Sequence, residues 1–480
     1  HAIASYAFPV DEMDEAWKTV LLNQFHDSLP GSSIARVYEE AEAAYAEVVE
    51  IADQVAEEAA GQLTRQDEGL TAFNDLPWTR TALITLPETY EGVVDDSGDP
   101  LPVQTVEGAR YTEVTVPSCG WASIKPGTSH EVDNTLTVNE GLLENAYLRV
   151  TFNERGEITS LVDKTAPVGE FAAGPCNVFK MFKDVPTRFD AWDIDSMYEN
   201  TPVELNEPAE IEVVAAGPLV GILRVTRPLH NSTMTQEISL RRGSRRVEFK
   251  TTIDWQERHK LLKVAFPVTV HANEALHEIQ FGHIARPNHR SRPFDEDRFE
   301  VANHKWTALA EASRGFAVLN DSKYGVNVLH NSINLTLLKS ALAPDMEADL
   351  GIQTFTYAVY PWAGTFADSP VVNEGYELNA PVLTVPGTAE QASLFSVSEP
   401  NIIIEAVKPA EDGSSDVIVR LYESKRTATA CTLRTALPVA SAVETDMLES
   451  SVLDELACED GNVDLVLNPF EVKTVRLTLA

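Results

Sequence analysis

Apolar residues recur at helical spacing over roughly the first 70 positions and at every second position beyond them. Trp17, Val20, Leu21 and Gln24 share one helical face, which predicts an amphipathic helix. Asp11 is placed to cap it, with Asp14 and Glu15 where negative charge suits the helix dipole. Pro30-Gly31 stops this helix, and Ser32 or Ser33 can cap a second. In that second helix Ile34, Val37, Tyr38, Ala41, Tyr45, Val48, Ala52, Val55 and Ala59 step by three and four, while Glu39, Glu40, Glu42, Glu47 and Glu50 face elsewhere. Such a stripe suits a helix packed in a bundle. Its frequent alanines argue against a free coiled coil. Gly61 and the polar run to Gly69 end it.

From residue 70 the period is two. Ala82-Leu83-Ile84-Thr85-Leu86 and Tyr111-Thr112-Glu113-Val114-Thr115-Val116 are typical segments, punctuated by clusters such as Asp95-Asp96-Ser97-Gly98-Asp99-Pro100. This is the pattern of antiparallel β-sandwiches, and no later helical stripe is as long. The expected fold class is therefore mainly β: a short N-terminal helical-bundle segment followed by several β-sandwich domains. Loop composition at Pro126-Gly127 and Val385-Pro386-Gly387 divides the chain into a helical segment 1–69, a small sandwich 70–128, a large sandwich 129–385 and a C-terminal β-domain 386–480. Repeats of 20–50 residues are not evident, which disfavours propellers and solenoids.

Composition narrows the function classes. Of 480 residues, 74 are Asp or Glu and 37 are Lys or Arg, a net charge of −37. A nucleic-acid backbone or an anionic membrane would be repelled, whereas a neutral sugar meets no such penalty. No apolar run is long enough to span a bilayer. The four cysteines (Cys119, Cys176, Cys431, Cys458) lack C-x-x-C spacing. They make neither a zinc knuckle nor an evident disulfide framework, which favours a reducing compartment and a cytoplasmic location. A homo-oligomer is compatible with all of this.

Three clusters carry candidate chemistry. His26-Asp27 falls where the first helix ends. The imidazole can offer a metal a neutral nitrogen and the carboxylate can meet a hydroxyl-rich ligand, or the pair can simply offset orphan carbonyls and begin a turn. Asp190, Asp193 and Asp195 surround Trp192. They read as a sugar platform or an oxygen-ligand Ca²⁺ site, or as a turn with a buried Trp and solvated acids. In the segment from His283 to Arg290, read as a loop, Arg286 and His289 can touch substrate hydroxyls across a domain interface or pair with Asp295, Glu296 and Asp297 downstream. His304 and Trp306 read as core or strand positions. No G-x-S-x-G, H-E-x-x-H or G-x-x-x-x-G-K-[ST] motif is present.

The string Leu22-Asn23-Gln24-Phe25-His26-Asp27-Ser28-Leu29-Pro30-Gly31-Ser32-Ser33-Ile34, completed by Val37-Tyr38, closely resembles a signature of glycoside hydrolase family 38, the zinc-dependent α-mannosidases. Asn153 to Lys164, Asp190-Ala191-Trp192-Asp193, Leu262 to Pro267, Lys323-Tyr324-Gly325 and Asn468-Pro469-Phe470-Glu471 resemble further family strings in the same order, from about residue 11 onward. The resemblance implies a retaining hydrolase of α-mannosidic bonds, with α-mannoside glycans as partners. It also implies that His26 is a zinc ligand and that Asp27 is an acid of the sugar site. The family's zinc site further needs a His-x-Asp pair and another Asp from an N-terminal α/β barrel. None of the eleven histidines here has Asp two residues later. The expectation is thus a C-terminal portion of such an enzyme, without the barrel that carries the nucleophile, unable to hold zinc alone and inert by itself. The alternative is a non-catalytic carbohydrate-binding or scaffolding β-sandwich protein.

Overall fold

A computed structural model describes residues 2–3 and 6–480. Helices α1 (Val10–Asn23) and α2 (Ala35–Gly61) pack against each other, burying Ala16 on the first and Ala41 and Ala60 on the second. Neither expected cap forms. Asp11 lies inside α1, whose N-cap is Pro9, and contributes charge to the first turn instead. Helix α2 starts behind an extended Ile34. The hydroxyls of Ser32 and Ser33 donate to the Asp27 carbonyl at 3.3 and 2.8 Å, and no side chain caps α2. The Ser33 N–H in turn donates to the Tyr38 hydroxyl at 2.7 Å.

After α2 the chain is built mainly of antiparallel sheets, interrupted by short helices such as Val371–Asn379, which makes it mainly β as expected. In the small sandwich, a sheet containing Arg65–Asn74 and Gly120–Pro126 faces a three-stranded sheet over a core of Leu70, Ile84, Leu86, Val93, Val114 and Ile124. Leu383–Thr388 returns from far along the chain to pair with Arg65–Asn74, setting Phe73 opposite Leu383.

The large sandwich opposes a nine-stranded sheet to a six-stranded one, with a four-stranded sheet alongside. Val247–Trp255 is one of its central strands. Every second side chain is buried, so Val247, Phe249, Ile253 and Trp255 enter the core. Inside, Gln236, Asn177 and Tyr357 close a ring of hydrogen bonds 2.6–2.8 Å long, so these buried polar groups satisfy one another.

Two further sheets enclose the C-terminal core around Val419, Leu433, Leu465 and Val475. A shared cluster joins this domain to the large sandwich, with Trp306, Trp362 and Val371 packing against Ile403 and Tyr422. Trp306 is a buried strand residue, while His304 sits half-buried in the bend before that strand.

Candidate functional site

Two segments meet at the site. The first is the turn that follows α1. Beyond the helix end the turn faces solvent, and His26 and Asp27 have 70% and 53% of their side-chain surface exposed. His26 Nε2 lies 3.3 Å from Asp27 Oδ2, and the Phe25 ring rests 4.3 Å from the imidazole. The two serine hydroxyls fix the backbone of this turn through the Asp27 carbonyl, which leaves the carboxylate free to face outward.

The second segment is the connection between strands Val178–Lys183 and Pro202–Val203 of the large sandwich. Here Phe189, Ala191 and Trp192, with Ala343 and Pro344, line a cleft of about 360 Å³ whose other wall is Asp27 and Ser32. Asp190 anchors the segment. Its carboxylate accepts the Leu342 N–H at 2.7 Å and lies 3.0 Å from His259 Nε2, while its carbonyl accepts Lys339 Nζ at 2.5 Å. Burial pushes this carboxyl up, but the Leu342 N–H and His259 outweigh it and hold Asp190 below the usual carboxylate range. Asp184, also buried, accepts the Asp195 N–H at 2.8 Å and pairs with Lys339 at 3.0 Å.

This arrangement corrects the reading of the Asp190–Asp195 cluster as a Ca²⁺ site and its reading as a turn around a buried Trp. Trp192 is not buried but 54% exposed, and Asp190 is a hydrogen-bonded anchor rather than a solvated acid. Among the described residues no group of three or more His, Cys, Asp or Glu side chains is placed to hold a metal ion.

Arg286 and His289 lie apart from the cleft. The segment expected as a loop is largely strand, Gly282–Pro287, paired with Glu274–Ile279, because Ile279 to Gly282 closes a tight hairpin. Arg286 donates to the Ala302 carbonyl at 3.0 Å and lines a small crevice with His277 and Asp295. His289 Nδ1 is 3.9 Å from Asp295, which also binds Arg292 and Arg298. His283 is enclosed by Phe366, Phe470 and Trp306, and burial pulls it down to about 4. Sequence reasoning missed Phe189, His259, Lys339 and the Ala343-Pro344 wall. Of these, only Phe189 adjoined a string already singled out.

The sequence matches three family descriptions: "Alpha mannosidase middle domain" over residues 2–63, "Glycosyl hydrolases family 38 C-terminal domain" over 143–347, and "Glycosyl hydrolases family 38 C-terminal beta sandwich domain" over 401–475. It is 35% identical to Alpha-mannosidase 2C1 of Homo sapiens, over 99% of this chain and 46% of that protein. With Alpha-mannosidase G of Dictyostelium discoideum it shares 31% identity over 98% of this chain and 48% of that one. The chain thus spans about half the length of these relatives. Among solved structures, an alpha-mannosidase from Enterococcus faecalis V583 superposes with a TM-score of 0.81 at 18% identity, covering 98% of this chain and 64% of that one. At that identity the likeness speaks for the fold.

Proposed function

Because the chain belongs to glycoside hydrolase family 38, whose middle and C-terminal domains it carries, we propose that it is the C-terminal part of a zinc-dependent retaining enzyme that hydrolyses terminal α-mannosidic bonds. The observation that carries this reading is the exposure of His26 and Asp27 beside a cleft. A structural histidine at a helix end is normally engaged with its own carbonyls. Among the described residues, the ring and charge partners of this imidazole are Phe25 and Asp27.

The residues present do not make a zinc site by themselves. One imidazole and one neighbouring carboxylate fall short of the three protein ligands such a site needs. In the proposed assembly His26 is a single donor, and the remaining ligands and the nucleophile come from a catalytic barrel outside this chain. The apolar surface around His26 supports such a cover. Trp17, Leu21, Leu22, Phe25, Leu29 and Ile34 are all more than half exposed on and beyond α1, a concentration that marks an interaction surface. Asp27 contributes an acceptor for sugar hydroxyls, and the two carboxylates of glycoside cleavage are assigned to the barrel. The four thiols are unpaired, which supports a reducing, cytoplasmic setting. No helix among the described residues is long and apolar enough to cross a membrane.

The test compares two polypeptides. The full-length protein carrying His26→Ala is expected to lose most of its bound zinc, measured by metal analysis, together with turnover of an aryl α-mannoside. The 480-residue chain with added zinc is expected to show no turnover. Robust hydrolysis by that chain, or full zinc occupancy in the His26→Ala protein, would refute the reading and leave a glycan-binding scaffold in its place.

A further inference from the structure

The cleft beside Asp27 has one wall that the proposed chemistry does not use. Phe189 and Trp192 project from a segment that the large sandwich holds rigidly, yet the rings are 71% and 54% exposed. The tethers are specific. Lys339 grips the Asp190 carbonyl and the Asp184 carboxylate, Leu342 and His259 hold the Asp190 carboxylate, and the Trp192 and Asp193 N–H groups both donate to the Phe189 carbonyl at 2.8 Å. Phe189 itself has φ of 54°, a left-handed conformation that a bulky side chain adopts at a cost, and its own burial does not offset that cost. Ordering a segment so firmly while leaving its aromatic faces in water favours a ligand that stacks on them.

Resting on the mannosidase reading above, we propose that Trp192, with Phe189, is a stacking platform for the sugar unit adjoining the mannose that Asp27 contacts. It makes this enzyme favour oligosaccharides over mannosides with a small leaving group. A pyranose suits the wall chemically. Its axial and ring C–H groups give an apolar face for an indole, and its hydroxyls can donate to the Asp27 carboxylate across the cleft. At about 360 Å³ the space falls within the range of small-molecule sites. The ligand is neutral, so the acidic surface of the chain does not oppose it. Trp192 acts here by positioning substrate and touches no reacting atom.

The test uses the full-length protein that carries this chain, as Trp192→Ala and Trp192→Phe. Each is assayed on α-mannosyl fluoride, whose leaving group is one atom, and on an α-linked mannobiose. Loss of one stacking contact predicts that Trp192→Ala lowers kcat/KM on the disaccharide roughly three- to tenfold, chiefly through KM. The fluoride is expected to change by less than about twofold, and Trp192→Phe to recover most of the loss. Thermal unfolding of both variants is expected to match the parent, since the ring belongs to no hydrophobic core among the described residues. Equal losses on both substrates, or none on either, would overturn the platform. A parent protein that hydrolyses neither substrate would instead overturn the mannosidase reading, and the subsite with it.

Discussion

Lys339→Met tests whether the aromatic wall of the cleft is held by charge. The ammonium lies 3.0 Å from Asp184, whose side chain is only 1% exposed, and donates to the Asp190 carbonyl at 2.5 Å. Methionine keeps much of the apolar stem but removes the cation. Asp184 would retain the Asp195 N–H on one oxygen and lose its only charge partner among the described residues. Breaking a buried pair in this way costs roughly 3–5 kcal/mol. Lys339 is itself 18% exposed, so the lower end, ~3 kcal/mol, is the better figure. At 1.4 kcal/mol per decade, the segment from Asp184 to Asp195 should open on the order of a hundredfold more often. Hydrogen exchange read by mass spectrometry on peptides spanning 184–197 would measure this directly, with peptides of strand Val247–Trp255 as the unaffected reference. Asp184→Asn should recover most of the loss when combined with Lys339→Met, because an amide needs no cation. A cycle with no coupling between the two changes, or exchange in Lys339→Met indistinguishable from the parent, would show that the ion pair does not hold the segment.

Two further outcomes follow from the packing and the charges. A Cβ at Gly315 would lie 2.0 Å from Trp362 Cζ2, and Trp362 is buried opposite it in the sheet. Gly315→Ala should therefore destabilise the large sandwich by roughly 1–3 kcal/mol, and a thermal midpoint equal to the parent's would contradict the contact. Asp190 is held below the usual carboxylate range when folded. The stability it contributes is thus fully present above its unfolded value near 3.8 and is lost as pH falls through the lower folded value. Exchange protection of peptides 184–197 should be flat above about pH 4 and decline below it. In Asp190→Asn that acid limb should disappear.

The architecture was legible where it depends on local pattern. The change of period near residue 70 marks the step from α2 to the first strand, and alternation along segments such as Val247–Trp255 gives their buried faces directly. What depends on distant partners was not legible. Leu383–Thr388 belongs beside Arg65–Asn74, more than 300 positions away. A strand carries its own alternation and no mark of its neighbour. The helix caps failed for a related reason. Ser32 and Ser33 are good capping residues, but the turn leaves an extended Ile34 between them and α2 and directs their hydroxyls to the Asp27 carbonyl.

The same distinction governs the site. His26 and Asp27 were found through a long string rather than through periodicity, since a polar pair after a helix obeys no repeat. The cluster around Trp192 reads from the sequence either as a sugar platform or cation site, or as a turn with solvated acids and the ring inside. Asp193 is indeed exposed, but Asp190 is engaged and the ring is outside. The structure departs from the second reading because Lys339, Leu342 and His259, all far along the chain, converge on Asp190. With the backbone secured by ionic and polar contacts, the indole is not needed as a packing element and can face the cleft. Arg286 and His289 illustrate the converse. They also came from a His- and Arg-bearing string, yet a carbonyl engages one and Asp295 lies 3.9 Å from the other, within the large sandwich. Position within the large sandwich, away from the cleft, separates these two from His26, Asp27 and Trp192, whose exposed faces are what a ligand or a second protein surface can use.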